Sequence, residues 1–192
     1  MHITENTVAI VLAAGKSERL GVPKALLNCG KYSLIEFIVK RLESLAIKVI
    51  VVTNLSLEKA ILESLKSTKA VLVIPDDVEN RTGNLIAGID NCEDPQRILV
   101  VPVDRPGWSL DTIKILLEMN ETSCPEYNGK GGHPLLICKK DLDSLTKSAK
   151  DTPLNSIFNT IKIKVDDPNL HLNIDTQEDL VLLKKFIDDF ES

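Results

Sequence analysis

Four short, nearly continuous apolar runs constrain the fold of this chain more than any other feature. VAIVLA (7–12), KVIVVT (48–53), AVLVIP (70–75) and RILVVPVD (97–104) are each about strand length. Apolar residues without alternation over so short a run mark strands covered on both faces. Between them, SLIEFIVKRLESL (33–45) and LSLEKAILESLK (55–66) carry apolar residues at helical spacing, and residues 83–91 predict a short helix. SLDTIKILLEM (109–119) follows the fourth strand as a further helix, with Ser109 at its N-cap. Parallel strands need helical crossovers, so the expected fold is α/β: a three-layer sandwich around a mostly parallel, Rossmann-like sheet.

After residue 120 the rhythm loosens. PEYNGKGGH (125–133) reads as a glycine-rich loop before a strand PLLICK (134–139). TPLNSIFN (152–159) reads as a short helix, and IKIKV (161–165) as an alternating strand. TQEDLVLLKKFIDDF (176–190) closes the chain as an amphipathic helix, with Thr176 as N-cap and Asp179 three residues on. No repeat, low-complexity tract or linker interrupts the sequence, and residues 1–192 are read as one domain.

The 23 Lys and Arg against 28 Asp and Glu give a net charge of -5 and form no basic run. That argues against a nucleic-acid partner. An acidic chain that handles polyphosphate needs a metal ion to offset the repulsion. Cys29, Cys92, Cys124 and Cys138 form no C-x-x-C pair and no cluster spaced with histidine, so free buried thiols are expected and zinc is not. The N-terminus lacks the basic start and long apolar stretch of a signal peptide, and no apolar run reaches membrane-spanning length. A cytoplasmic protein with no membrane association is expected.

In open α/β sheets ligands sit beyond the carboxyl ends of the strands. The first strand empties there into AAGKSERLGVPK (13–24). This is no Walker loop, because five residues rather than four separate Gly15 from Gly21 and Val22 follows. The G-x-G-x-x-G fingerprint is also absent. The small residues Ala13, Ala14 and Gly15 let a base and ribose approach the backbone. Ser17 and successive amides form a candidate anion nest, and Arg19 offers a planar fork to a triphosphate. Pro23 stiffens the exit so that Lys24 points back at the reacting phosphate.

Residues 12–24, LAAGKSERLGVPK, closely resemble the signature loop of the nucleotidyltransferases related to the molybdenum-cofactor cytidylyl- and guanylyltransferases, the MobA-like NTP transferases. The resemblance implies a fold of the nucleotide-diphospho-sugar transferase type. It places Leu12, Ala13, Ala14, Gly15, Ser17, Arg19 and Lys24 at the nucleotide. V-P-V-D-R-P (101–106) matches the family's Asp-x-Pro, implying that Asp104 is a magnesium ligand; a helix-capping Asp is the other reading. Val103 departs from the usual Gly or Ala there, and its branched side chain could crowd the site. LNIDTQEDL (172–180) resembles the C-terminal motif, in which Asp175 faces the metal while Thr176 and Asp179 cap the last helix. Two carboxylates plus substrate phosphates and waters suffice for Mg²⁺.

VENRTGNLIAGI (78–89) resembles the family segment that starts a helix beside the base. Gly83 would let the base pack on backbone, and Asn80 or Arg81 would meet sugar or phosphate; Arg81 as a solvated surface charge is the alternative. GKGGHPLLI (129–137) resembles the Gly-His-Pro segment, implying that backbone amides around Gly132 hold the acceptor's phosphate and His133 orients it. His133 as a hydrogen bonder within its loop is the competing reading. Trp108 is expected to anchor the loop after Asp104.

The implied reaction is attack by an acceptor phosphate oxygen on the α-phosphorus of a nucleoside triphosphate, with release of pyrophosphate. Lys24, Arg19 and Asp104 with Mg²⁺ would stabilise the charge. The implied donor is CTP and the implied acceptor molybdopterin; Ala14 favours CTP, since guanylyl-transferring relatives generally have a second Gly there. Two alternatives stand beside it: transfer to another phosphorylated small molecule, such as a sugar or sugar alcohol phosphate, and a non-catalytic cofactor carrier or insertion chaperone. A molybdoenzyme or an insertion chaperone would be the protein partner.

Overall fold

The computed structural model describes residues 6–15, 19–76 and 80–191. In chain order its elements are β1 (Thr7–Leu12), β2 (Asn28–Cys29), β3 (Tyr32–Ser33), α1 (Leu34–Glu43), β4 (Lys48–Val52), α2 (Glu58–Ser64) and β5 (Val71–Val73). Then come α3 (Arg81–Asp90), β6 (Arg97–Pro102), α4 (Leu110–Leu117), β7 (Ser123–Tyr127), β8 (Lys130–Gly131) and β9 (Leu135–Cys138). α5 (Lys139–Thr146), α6 (Leu154–Ile157), β10 (Ile161–Lys164) and α7 (Asp179–Glu191) complete the chain.

One sheet runs in the order β10-β7-β9-β6-β1-β4-β5, with β8 appended to β7. β6, β1, β4 and β5 are parallel, and β10 is parallel to β7. β9 is antiparallel to both of its neighbours. The expected mostly parallel three-layer sandwich is therefore what forms.

The continuous apolar runs have a direct cause in the packing. On β1, Ala9 and Val11 enter one core with α1, α4 and α7, while Val8 and Ile10 enter a second with α3 and α5. β4 divides the same way, Val49 and Val51 against Ile50 and Val52. A strand between two cores has no solvent face along its middle, so its inner positions are apolar on both sides.

The second half departs from expectation. Residues 125–133 are not a loop: β7 and β8 form a hairpin in which Tyr127 faces Lys130. Asn128 and Gly129 both have positive φ, 50° and 79°, the backbone of a type I′ turn. Asn-Gly between strands is the strongest short-range hairpin signal, and the sequence reading passed over it in favour of glycine content. Helix α5 and the β2–β3 hairpin were also not anticipated. α7 starts at Asp179 rather than 176, because Asp179, Leu180 and Val181 each donate to the carbonyl three residues back, a tighter first turn.

Of the cysteines, Cys29 and Cys138 are buried, Cys92 and Cys124 half-buried, and all four are free thiols. Burial pushes Cys29 up to about 12 and Cys92 up to about 11, so neither is a thiolate at neutral pH. No helix among the described residues is long and apolar enough to cross a membrane.

Candidate active site

The loop after β1 crosses the carboxyl edge of the sheet and is held from both neighbouring strands. Ala13 N–H donates to Val52 C=O at 2.8 Å, and Val103 N–H donates to Leu12 C=O at 3.1 Å. Thr53 Oγ1 donates to Ala13 C=O at 3.3 Å and Asn54 Nδ2 to Ala14 C=O at 3.2 Å. These bonds use the inward carbonyls of the loop and leave its outer face over a cavity of about 250 Å³. Leu12, Ala13, Ala14, Gly15, Lys24, Arg81 and Asp104 line that cavity, with Asn84 and Val103. Ser17 lies outside the described residues.

Val103 is buried in the core on the α1 side, and the cavity stays open beside it. Trp108 anchors the following loop, fully buried beneath the Arg41 guanidinium, whose carbon lies 3.9 Å from the ring centroid. Arg41, itself 5% exposed, donates Nη1 to Pro106 C=O at 2.8 Å and Nη2 to Trp108 C=O. Burial lowers its pKa to about 10, with Asp167 opposing the drop, so it stays charged at neutral pH. Asp167 in turn accepts from Ser109 N–H and Thr112 Oγ1, both at 2.7 Å.

The two expected metal-facing carboxylates meet through this scaffold. Ile174 N–H donates to Asp104 C=O at 2.9 Å, tying the segment before α7 to the end of β6. Lys24 Nζ lies 2.5 Å from Asp175 Oδ1 and 3.6 Å from Asp104 Oδ2. Arg19 Nη1 reaches the other Asp175 oxygen at 3.2 Å, with 77% of its side chain exposed. The Lys24 hydrogen bond and charge, helped by Arg19, hold the Asp175 carboxyl below the usual carboxylate range. The Asp179 carboxylate accepts from the Asp175 and Thr176 N–H groups, both at 2.8 Å. Half of the expected capping box forms: Asp179 reaches back to the Thr176 N–H, while the Thr176 hydroxyl donates to the same carboxylate at 3.1 Å. Gln177 Nε2 donates to Leu20 C=O at 2.6 Å, closing the C-terminal segment onto the first loop.

Other expected contacts are engaged elsewhere. Asn80 Oδ1 accepts Gly83 N–H at 2.7 Å as the N-cap of α3, so neither group faces the cavity. Asn84, one turn on, is the residue that lines it: Nδ2 donates to Asn80 C=O at 2.8 Å, and Oδ1 is buried without a partner among the described residues. Gly132 N–H donates to Pro125 C=O at 2.8 Å, within the hairpin. Its glycine is needed for packing, since a Cβ would lie 2.9 Å from Leu170 Cγ. His133 is half-buried, and burial, with Arg81 and Arg105 nearby, lowers its pKa to about 4 against the opposing charge of Asp104.

A family model for the MobA-like NTP transferase domain matches residues 9–165. This chain belongs to the MobA-like NTP transferase family. A probable molybdenum cofactor guanylyltransferase of Bacillus mycoides (strain KBAB4) is 29% identical over 196 residues, covering 92% of this chain and 94% of that protein. Among solved structures, a nucleotidyl transferase from Methanothermobacter thermautotroptrophicus superposes with a TM-score of 0.80 at 22% identity, covering 96% and 98% of the two chains. A manganese complex of Rv0371C from Mycobacterium tuberculosis H37Rv superposes at 0.78 with 17% identity, covering 93% and 97%. At these identities the structures speak for a shared fold.

The MobA-like chain gathers no group of three or more His, Cys, Asp or Glu fit for a metal among its described residues. Asp104 and Asp175, turned to one cation position, fit instead an ion shared with substrate phosphates. Asn54 and Arg105 escaped the sequence reading, and only their placement beside the first loop or His133 singles them out. Asn84 stands near where the family has its usual Ser after Gly83.

Proposed function

We propose that this chain is a nucleotidyltransferase of molybdenum cofactor biosynthesis, moving a nucleoside monophosphate from its triphosphate to the phosphate of a molybdopterin-type acceptor. The observation that carries the reading is Lys24 set between Asp104 and Asp175 at the wall of the cavity under the first loop. An ionised acceptor oxygen attacks the α-phosphorus in line, and pyrophosphate leaves with the electron pair. That nucleophile needs no general base at pH 7, where burial keeps His133 neutral. Catalysis then rests on position and charge. Lys24 stabilises the transferred phosphoryl group, and Arg19, on the exposed side, holds the departing pyrophosphate. Mg²⁺, held by Asp104 and Asp175, would supply the charge that neutralises the phosphates; the manganese complex of a structural neighbour supports a divalent ion.

The base has two readings, each with an observation behind it. The Ala14 methyl beside the cavity favours CTP, whereas the curated relatives are named guanylyltransferases. Asn84 Oδ1 would accept a hydrogen bond from the amino group of either base. Thermal unfolding with Mg²⁺ and each of CTP, GTP, ATP and UTP decides between them. A nucleotide at ~100 times its Kd adds ~2.7 kcal/mol, several degrees for a chain of this length. One of CTP or GTP is expected to give the shift, and Lys24→Ala to reduce it and lower turnover by ~10²–10³. No shift with any nucleotide, and no pyrophosphate release with molybdopterin present, would leave the carrier reading in its place.

A further inference from the structure

In the free chain a side chain takes the cation position between Asp104 and Asp175. Backbone bonds bring these carboxylates together without it: Ile174 N–H binds Asp104 C=O, and the Asp175 and Thr176 N–H groups bind the Asp179 carboxylate. Two anions fixed so close repel unless a cation stands with them. Lys24 Nζ is that cation, 2.5 Å from Asp175 Oδ1 and 3.6 Å from Asp104 Oδ2, with 13% of its side chain exposed. Arg19 engages the other Asp175 oxygen at 3.2 Å. A magnesium ion binds a carboxylate oxygen at about 2.1 Å. An ion bridging the two carboxylates would therefore stand where the ammonium stands, and the two exclude each other.

The lysine has a second place to go. Its backbone is pinned in the short turn that Pro23 opens, where Leu27 N–H donates to Lys24 C=O at 3.1 Å. The flexible stem above that anchor lets the ammonium move while the loop stays. Lys24 also lines the cavity under the first loop, with Ala13, Ala14 and Gly15. A triphosphate in that cavity carries more negative charge than the two aspartates together, so it draws the ammonium across and vacates the pair.

We propose that Lys24 is a placeholder for the metal. It closes the aspartate pair to free divalent ions and releases it to an ion that arrives with the nucleotide, so the substrate that enters is the metal–triphosphate complex. The inference rests on the transfer reading above and adds an order of binding to it. By linkage, nucleotide and ion each raise the affinity for the other. The placeholder differs from a purely catalytic lysine in one respect: removing its charge improves a binding step.

The test titrates the full chain with Mn²⁺ alone, by calorimetry. The parent is expected to bind the free ion weakly, and Lys24→Gln about tenfold more tightly or better. Asp175→Asn added to Lys24→Gln should cancel the gain, which locates the ion at the pair. Arg19→Gln removes a charge from the same carboxylate without vacating the position, and should gain less. If Lys24→Gln is destabilised, the rise of its unfolding midpoint with Mn²⁺, set against the parent's, reads the same affinity. CTP or GTP without acceptor should tighten Mn²⁺ on the parent more than on Lys24→Gln. Mn²⁺ bound by the parent as tightly as by Lys24→Gln overturns the proposal. So does an equal gain in Arg19→Gln, which makes net charge the cause, or equal tightening by the nucleotide in parent and variant. A gain in Lys24→Gln with no response of either chain to any nucleotide upholds the closure against free ions while removing the transfer reading.

Discussion

His133 shows how placement alters an ordinary side chain. Burial and two neighbouring arginines lower its pKa to about 4, against 6.5 for a free histidine. Between those values the unfolded chain binds a proton that the native ring refuses. Native stability is therefore full above pH 6.5 and falls as the pH drops toward 4, by up to ~3 kcal/mol. Urea unfolding at a series of pH values should show this loss, and His133→Gln should lack that component. A His133→Gln profile parallel to the parent's would mean the ring is solvated. The Gly-His-Pro pattern made His133 a candidate in the sequence. Its neutrality could not be read there, because Arg81 and Arg105 come from segments about 50 and 30 residues away along the chain.

Among the elements, the contact between the segment after β6 and the segment before α7 sets the site. Gly107 lies so close to the second segment that an added Cβ would be 1.9 Å from Asn169 C=O. That neighbour is backbone and cannot swing aside as a side chain would. Gly107→Ala is expected to cost ~2 kcal/mol or more, lowering the unfolding midpoint by several degrees. It should also raise the divalent-ion concentration needed for activity, because Asp104 and Asp175 sit on the two segments it drives apart. A variant that loses stability with an unchanged metal requirement would show that the spacing is set elsewhere. The sequence marked both aspartates by motif. It held no sign that a glycine three residues past Asp104 fits them together, since the need arises only where the two backbones meet.

Across the whole molecule, one buried cation joins the site to the frame. Arg41 stands on α1, covers Trp108, holds the loop after Asp104 by two carbonyls and faces Asp167. Arg41→Met should destabilise the chain by ~3–5 kcal/mol, since it strips a buried carboxylate and two carbonyls of their partner. Arg41→Lys should recover little, because a single ammonium neither reaches both carbonyls nor stacks on the indole. Full recovery with lysine, in equilibrium urea unfolding, would show that charge alone suffices. At the opposite end of the sheet, Lys162 and Lys164 lie exposed on edge strand β10 and keep it from pairing with another chain.

The sequence by itself determined the α/β class and the family, and it marked the loop after β1 and the two aspartates that the fold brings to Lys24. Each of these is read locally: the inner positions of a strand between two cores are apolar, and the loop after β1 carries its small residues, Lys and Arg at set spacing. The hairpin at 128–129 was equally local, and its Asn-Gly signal was present. The tertiary structure alone decided that Asn80 caps a helix while Asn84 lines the cavity, and that the Gly132 amide donates to Pro125. Those outcomes depend on strand register and helix docking. One hydrogen-bond donor or acceptor has several partners within reach of the folded chain, and only packing in three dimensions selects among them.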